Sequence, residues 1–173
     1  MSKILLAQSV YADSSVYFAS KERTGGLKIL YANAGLLSTA LTEFRKLLNF
    51  DQDVRVELDT LKGKNWYGCY DDNTRTACVR YSKNFRIMLL SLAHELVHAE
   101  QFRTGKLYFK STGTRYVPHW CGKRNNSKDA ANYYYNEPWE QEARNRQISL
   151  STNVYINLFD HIHSMNSTMK EVL

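Results

Sequence analysis

The segment from Phe85 to Phe102 constrains the fold of this chain more than any other part of the sequence. It is the longest apolar segment, and it ends close to Gly105, a residue type that commonly follows a helix C-terminus. The segment therefore predicts a mostly buried helix, which the rest of the chain must cover. With 173 residues, the chain is long enough for one compact domain and too short for two ordinary ones.

Three polar side chains interrupt this helix, in the order His94-Glu95-Leu96-Val97-His98. Residues four apart lie on one helix face, so both imidazoles can point at one zinc ion. Glu95 is rotated by about 100° from His94, so it can reach a metal-held water as a general base without ligating the metal. In the alternative, the histidines are ordinary core residues and Glu95 pairs with a lysine. Burying three polar groups is costly without partners, which favours the metal site.

A catalytic zinc usually has a third protein ligand and an open position for water. Residues 136–143 begin a predicted helix and carry Glu137, Glu140 and Glu142, which could also be explained by the favourable helix dipole. Glu140 is the predicted ligand, because it lies three residues before Ala143 and four after Asn136, and Glu142 is the alternative. His119 would instead give a site with three histidines.

The residues before the metal helix predict one helix and three strands. Apolar residues recur at three- and four-residue steps from Gly35 to Asn49, as in an amphipathic helix. Residues 54–59 alternate between apolar and charged, which predicts a strand with one buried face. Residues 66–70 and 76–81 flank a polar turn at 71–74 and predict a hairpin.

The cysteines are predicted to be thiols. Cys69 and Cys78 should face each other across the hairpin, but two cysteines lack the four ligands of a structural zinc site. Their total of three is odd, and residues 1–27 contain no signal-peptide core, which predicts a reducing, cytoplasmic location, or the host cytoplasm for a phage-encoded protein. No apolar run approaches the ~20 residues of a membrane-spanning helix, so a membrane protein is excluded.

The residues after the metal helix predict two short extended segments, a loop and a helix. The extended segments are residues 106–110 and 114–118, and residues 122–132 read as a polar, basic loop. The last helix should begin near Pro138, with a possible break at residues 149–153. Together these elements predict a single domain over residues 1–173, with a weakly structured lead-in at 1–27 and a core at 35–165. His161 and His163 are expected at the surface.

The net charge of +6 leaves a second function open. A basic surface favours contact with nucleic acid, and the sequence has a modest basic cluster at Arg115, Lys123, Arg124 and Lys128. Lys123 and Arg124 lie beside Trp120, a basic–aromatic pairing that could grip a phosphate backbone and stack a base. The alternative is thus a nucleic-acid-associated binding protein with a structural or regulatory zinc site, although such a site has no need of Glu95.

The residues from His94 to His98, followed by a helix with Glu140 and Ala143, resemble the zincin metallopeptidases. The resemblance covers about residues 54–146 and is nearest to the small cytosolic and phage-encoded enzymes related to the ImmA/IrrE and SprT-like groups. A glutamate three residues before a helical alanine matches the former, whereas the third histidine of the latter would be His119. The resemblance implies an α+β fold in which a small, mostly antiparallel sheet packs on the metal helix and on a second, C-terminal helix.

The same resemblance implies a zinc-dependent peptidase acting on a protein or peptide substrate, or an SprT-like protease of DNA-bound proteins. Glu95 would be the general base, and His119, Tyr134 or Tyr135 could donate a hydrogen bond to the developing oxyanion, with Tyr135 and His119 taken as the catalytic candidates. The substrate would extend the sheet at an edge strand around residues 78–81.

Two features depart from the family pattern. Thermolysin-type enzymes have an aspartate four residues after the ligand glutamate, where this chain has Arg144, which cannot accept a hydrogen bond. The inserted segment 120–135 has no clear counterpart and could determine specificity or cover the site.

Overall fold

The computed structural model describes residues 16–18, 27–50, 54–59, 67–125 and 133–171. Within these ranges the chain has an α+β fold, as expected from the sequence. Its elements in chain order are β1 (Val16–Phe18), α1 (Leu27–Leu47), β2 (Arg55–Asp59), β3 (Gly68–Asp71), β4 (Thr76–Arg80), α2 (Phe85–Arg103), β5 (Leu107–Ser111), β6 (Tyr116–Trp120), β7 (Lys123–Arg124), α3 (Tyr133–Asn136) and α4 (Pro138–Glu171).

The first sheet has four strands in the order β1-β2-β4-β3. β1 pairs with β2 and β2 pairs with β4 in parallel, whereas β3 and β4 form the predicted antiparallel hairpin. Cys69 lies directly opposite Cys78 in its register, as the turn residues predicted, and the cysteines are thiols. Val56 and Leu58 bury the inner face of β2, in agreement with the alternating pattern.

The edge strand near the metal helix is β3. The sequence placed the edge around residues 78–81, but β4 covers residues 76–80 and lies between β2 and β3, so that prediction is wrong. The reason is the parallel pairing of β2 with β4, which occupies the side of β4 that a lone hairpin would leave open. Among the described strands, β3 is therefore the edge strand at this end of the sheet, and β1 is the edge strand at the other end.

The second sheet consists of β5, β6 and β7, all antiparallel. The two extended segments predicted after the metal helix are β5 and β6, each shifted by one or two residues. The predicted basic loop begins with β7, and its residues 126–132 lie outside the described part of the chain. This sheet follows directly from the C-terminus of α2, where Gly105 adopts a positive φ of 68° as a helix stop requires.

Helix α2 lies at the centre of the molecule, between the first sheet and α4. Its N-terminus is capped by Asn84, whose side chain accepts a hydrogen bond from the backbone N–H of Arg86. Met88, Leu92 and Leu96 are almost wholly buried in a core shared with α1, α4 and the sheet. The predicted buried helix is therefore confirmed, and its burial fixes the positions of the polar side chains that it carries.

Two predicted helix boundaries were wrong. Helix α1 begins at Leu27 rather than at Gly35, so the expected lead-in contains β1 and the start of this helix, its other residues lying outside the described ranges. Helix α4 continues through residues 149–153 without the expected break. Ser149 and Ser151 donate hydrogen bonds to helix carbonyls three residues earlier, so these polar residues are accommodated within the helix.

The C-terminal part of α4 includes His161 and His163, whose side chains lie outside the described part. None of the helices described is both long and apolar enough to cross a membrane.

Candidate metal centre

Three side chains from two helices converge on one point. His94 and His98 lie one turn apart on α2, and Glu140 lies in the first turn of α4. The Nε2 atoms of the two histidines are 3.1 Å apart. Oε2 of Glu140 lies 3.2 Å from Nε2 of His94, and Oε1 lies 3.3 Å from Nε2 of His98. Among the described residues, these three side chains form the group of His, Cys, Asp or Glu residues that could hold a metal ion.

The other ring nitrogen of each histidine is held by a glutamine. Nδ1 of His94 lies 2.9 Å from Oε1 of Gln147, and Nδ1 of His98 lies 2.9 Å from Oε1 of Gln101. Because an amide oxygen can only accept, each Nδ1 must carry the proton. In a neutral imidazole the Nε2 lone pair then faces the point of convergence, which is the state that binds a metal.

The potential ligand atoms are close enough together to surround one ion. Each imidazole nitrogen lies 3.1–3.3 Å from the other and from a different oxygen of Glu140, and one ligand atom from each residue lies within 4.8 Å of the other two. The buried Oε2 of Glu140 has no hydrogen-bond donor. Three electron-pair donors so close together repel one another, so a cation between them would supply the partner that each lacks.

Glu140 is suited to be an anionic ligand. Burial raises the pKa of its carboxyl group, but when the imidazoles of His94 and His98 are protonated at Nε2, their hydrogen bonds and charges more than offset this effect and lower the pKa to about 2. The carboxylate is therefore ionised at neutral pH. The structure thus places the predicted Glu140 beside both histidines.

Glu95 projects from α2 towards the edge strand β3. Only 4 % of its surface is exposed, and burial raises its pKa to about 8, with His94 lowering the pKa and Glu140 raising it. A Cβ atom at position 68 would lie 2.6 Å from Oε1 of Glu95, so Gly68 lets the backbone of β3 approach this carboxylate closely. Glu95 is beside the three ligands but is not one of them.

Glu142 does not join the ligand group. Its carboxylate binds Lys106, accepts a 3.0 Å hydrogen bond from Nε2 of Gln101, and lies 3.7 Å from Arg146. Gln101 also donates to the backbone oxygen of Trp139. Glu142 thus supports the glutamine that orients His98, so the alternative ligand assignment is not borne out by the geometry.

His119 is also outside the ligand group. Its ring stacks on Tyr108 with centroids 4.9 Å apart, and its Nδ1 lies 3.1 Å from the carbonyl oxygen of Val117. A site with three histidines is therefore not what the structure assembles. The roles of His119 and Tyr135 as proton or hydrogen-bond donors stay predictions, and the side chain of Tyr134 lies outside the described part.

Arg144 lies at the margin of the site. Its guanidinium group is 3.8 Å from Oε2 of Glu140, donates to the backbone oxygen of Tyr135, and lies 5.3 Å from the centre of the Tyr135 ring. The residue that departs from the thermolysin pattern thus ties the end of the inserted segment to a ligand of the centre.

Trp120 contacts a basic side chain that is not one of the predicted pair, namely Lys106. Nζ of Lys106 lies 5.0 Å from the centre of the Trp120 ring, and Trp139 packs beside this ring at 6.3 Å. Trp120 therefore contributes to the packing at the start of α4, and nucleic-acid binding stays a prediction.

Sequence reasoning missed the two glutamines. Gln101 is polar yet 1 % exposed in the apolar helix α2, three residues after His98. Gln147 lies seven residues after Glu140, a spacing that places both on one face of α4. The spacing of Gln101 from His98 and the spacing of Gln147 from Glu140 are the signals in the sequence that could have identified these two glutamines.

The chain was compared with protein-family models, curated proteins and solved structures. None of the three comparisons gives a match. What the site does must therefore be inferred from the chemistry and arrangement of its own residues.

Proposed function

We propose that this chain is a zinc-dependent metallopeptidase, with His94, His98 and Glu140 as zinc ligands and Glu95 as the general base. One observation carries the proposal: three electron-pair donors converge closely enough to hold one metal ion, and a buried carboxylate outside this group, Glu95, is near enough to interact with the charges of His94 and Glu140. A closed structural site would not need such a carboxylate.

The donor set favours zinc among the common divalent ions. Two imidazole nitrogens with one carboxylate suit zinc, whereas magnesium and calcium prefer oxygen ligands. When bound, zinc would polarise the substrate carbonyl group and lower the pKa of a water molecule. Three ligands from the protein leave a fourth position for that water.

Glu95 is placed to move a proton between water and the scissile peptide. Glu95 would be ionised for this role, because a cation held by the ligand group would lower its pKa from about 8. In hydrolysis, it would accept a proton as the water oxygen attacks the carbonyl carbon, and deliver it to the leaving nitrogen as the C–N bond breaks. The products are a carboxylic acid and an amine, and Glu95 returns to its starting state. Its burial excludes bulk water from the carboxylate, which would otherwise compete for this proton.

Among the described strands, β3 lies at an edge of the first sheet, and this edge offers a binding mode for an extended substrate. A peptide that adds to a sheet edge satisfies the unpaired backbone groups of that edge. Gly68, the first residue of β3, contacts Glu95. A peptide on this edge would therefore pass the general base, which supports cleavage within a chain and makes a protein or peptide the expected substrate.

Metal content and proteolysis test the proposal together. Purified wild-type protein, Glu95→Gln and the matched control Glu57→Gln on β2 would be loaded with zinc, analysed for bound metal, and incubated with an unfolded protein substrate. We expect one zinc per chain in all three, with cleavage reduced about 10²–10⁴-fold only in Glu95→Gln. A wild-type chain that binds no zinc after reconstitution, or a Glu95→Gln variant with full activity, would overturn the proposal.

A further inference from the structure

A cavity of about 670 Å³ separates the end of β3 from the second sheet. Its walls come from β3 and the turn after it, from the C-terminal part of α2, and from β5 and β6. Tyr70, Phe102, Tyr108, Phe109 and Tyr116 supply most of the apolar wall. β3 therefore forms one side of the cavity and β5 the other.

The aromatic rings of this wall form a connected surface. Phe102 lies between Tyr70 and Phe109, with both pairs of ring centroids 5.9 Å apart. Phe109 is 47 % exposed and Tyr116 is 75 % exposed, so apolar ring surface faces solvent. Exposed aromatic surface gains free energy when a large apolar group covers it.

The cavity and the proposed catalytic centre lie along the same pair of elements, β3 and α2. Gly68 and Tyr70 are two residues apart on β3 and therefore point to the same side of the strand, towards α2. Gly68 approaches Glu95 and Tyr70 contacts Phe102. Glu95 and Phe102 are seven residues apart on α2, a distance of about 10 Å along the helix axis. β3 thus runs beside α2 from the general base to the cavity.

We propose that this cavity is a substrate subsite for a large apolar or aromatic side chain. The proposal rests on the peptidase function proposed above. A residue of an extended chain advances by about 3.3 Å, so the 10 Å between Glu95 and the cavity corresponds to two or three substrate residues from the bond that is cleaved. Asp71 and Asp72 line the rim and disfavour an acidic side chain by charge repulsion.

Peptides with one variable residue test this subsite. The host would be a twelve-residue peptide of alanine and serine carrying a single Phe, with matched peptides carrying Leu, Ala, Lys or Glu at that position. Binding of the fluorescently labelled peptides to zinc-loaded Glu95→Gln would be measured by anisotropy, and cleavage sites of the wild type would be mapped by mass spectrometry. Because Phe109 and Tyr116 are exposed, the variants Phe109→Ser and Tyr116→Ser should leave the fold intact. Ile156→Ser, at an exposed position on α4, is the matched control.

We expect the Phe and Leu peptides to bind at least tenfold more tightly than the Ala and Glu peptides. The cut should fall two or three residues from the variable position. Phe109→Ser and Tyr116→Ser should weaken Phe-peptide binding about tenfold and leave Ala-peptide binding unchanged, whereas Ile156→Ser should alter neither. Equal affinity for all peptides, preference for Lys, or no effect of Phe109→Ser would overturn the subsite while zinc binding and cleavage still supported a peptidase.

Discussion

Gly68 leaves no room for a side chain beside Glu95. A Cβ atom at position 68 would lie 2.6 Å from Oε1 of Glu95 and 2.9 Å from the backbone oxygen of Cys78. The second contact is with the backbone of the paired strand β4, which cannot turn away as a side chain can. Any residue larger than glycine must therefore displace either the edge strand or the proposed general base.

Gly68→Ala should impair cleavage more than zinc binding. Overpacking a buried contact costs typically about 1–3 kcal/mol, and we expect a loss of that size in the free energy of unfolding together with at least a tenfold fall in kcat/KM. Gly35→Ala is the matched control, because a Cβ atom at this position in α1 would meet nothing within 4 Å apart from its chain neighbours and the backbone of its own helix. The control should be stabilised by about 0.5–1 kcal/mol. Full activity in Gly68→Ala would show that Glu95 does not depend on this contact.

The sequence predicted the parts of the site that depend on local spacing. His94 and His98 are neighbours on any helix, and the apolar residues around them make that helix a buried one. Glu140 was found because it begins a second amphipathic helix, whose packing on α2 brings the carboxylate within 3.3 Å of both histidines. The order of the hairpin and its Cys69–Cys78 register also followed from local turn chemistry.

The parts that depend on long-range packing could not be predicted in the same way. The alternating pattern of β2 does not specify which strand it pairs with, so the open edge was assigned to β4 instead of β3. A single histidine such as His119 has no spacing partner in the sequence, and its stacking on Tyr108 depends on the β5–β6 register. Residues 126–132 of the inserted segment lie outside the described part of the chain.

Gln147→Ala should weaken zinc binding while leaving the fold intact. Gln147 accepts the Nδ1 proton of His94 and so fixes the ring with Nε2 towards the metal position. Loss of such a partner typically reduces metal affinity about 10–100-fold. Gln147→Glu should retain most of the affinity, because a carboxylate accepts the same hydrogen bond. Competition with a chelator of known affinity measures both, and Gln141→Ala, an exposed neighbour on α4, should be unchanged.

Glu140→Ala and Glu142→Ala distinguish the ligand from its neighbour. Removing Glu140 takes away the only anionic donor of the group. Zinc affinity should therefore fall by more than about 100-fold, which is the largest loss typical of removing a residue that only hydrogen-bonds to a ligand. Glu142→Ala instead breaks the contacts with Lys106 and Gln101. The contact with Lys106 is partly exposed and the one with Gln101 is a single hydrogen bond, so unfolding should become easier by about 1 kcal/mol, with zinc affinity changed less than tenfold. The reverse pattern, measured by the same chelator competition and by denaturant unfolding, would make Glu142 the ligand.

Zinc should stabilise the folded chain through the His94–His98–Glu140 group. A ligand present at 100 times its Kd adds about 2.7 kcal/mol to the free energy of unfolding, which for a chain of this size raises Tm by roughly 5–10 °C. Because imidazole nitrogens suit zinc whereas magnesium prefers oxygen ligands, magnesium at the same concentration should leave Tm unchanged. His94→Ala removes one donor and should lose most of the zinc-dependent shift while folding without metal. Thermal unfolding followed by circular dichroism measures the Tm of the wild type without metal, with zinc and with magnesium, and the Tm of His94→Ala with and without zinc. An equal zinc-dependent rise in Tm for the wild type and His94→Ala would place the bound metal elsewhere on the chain.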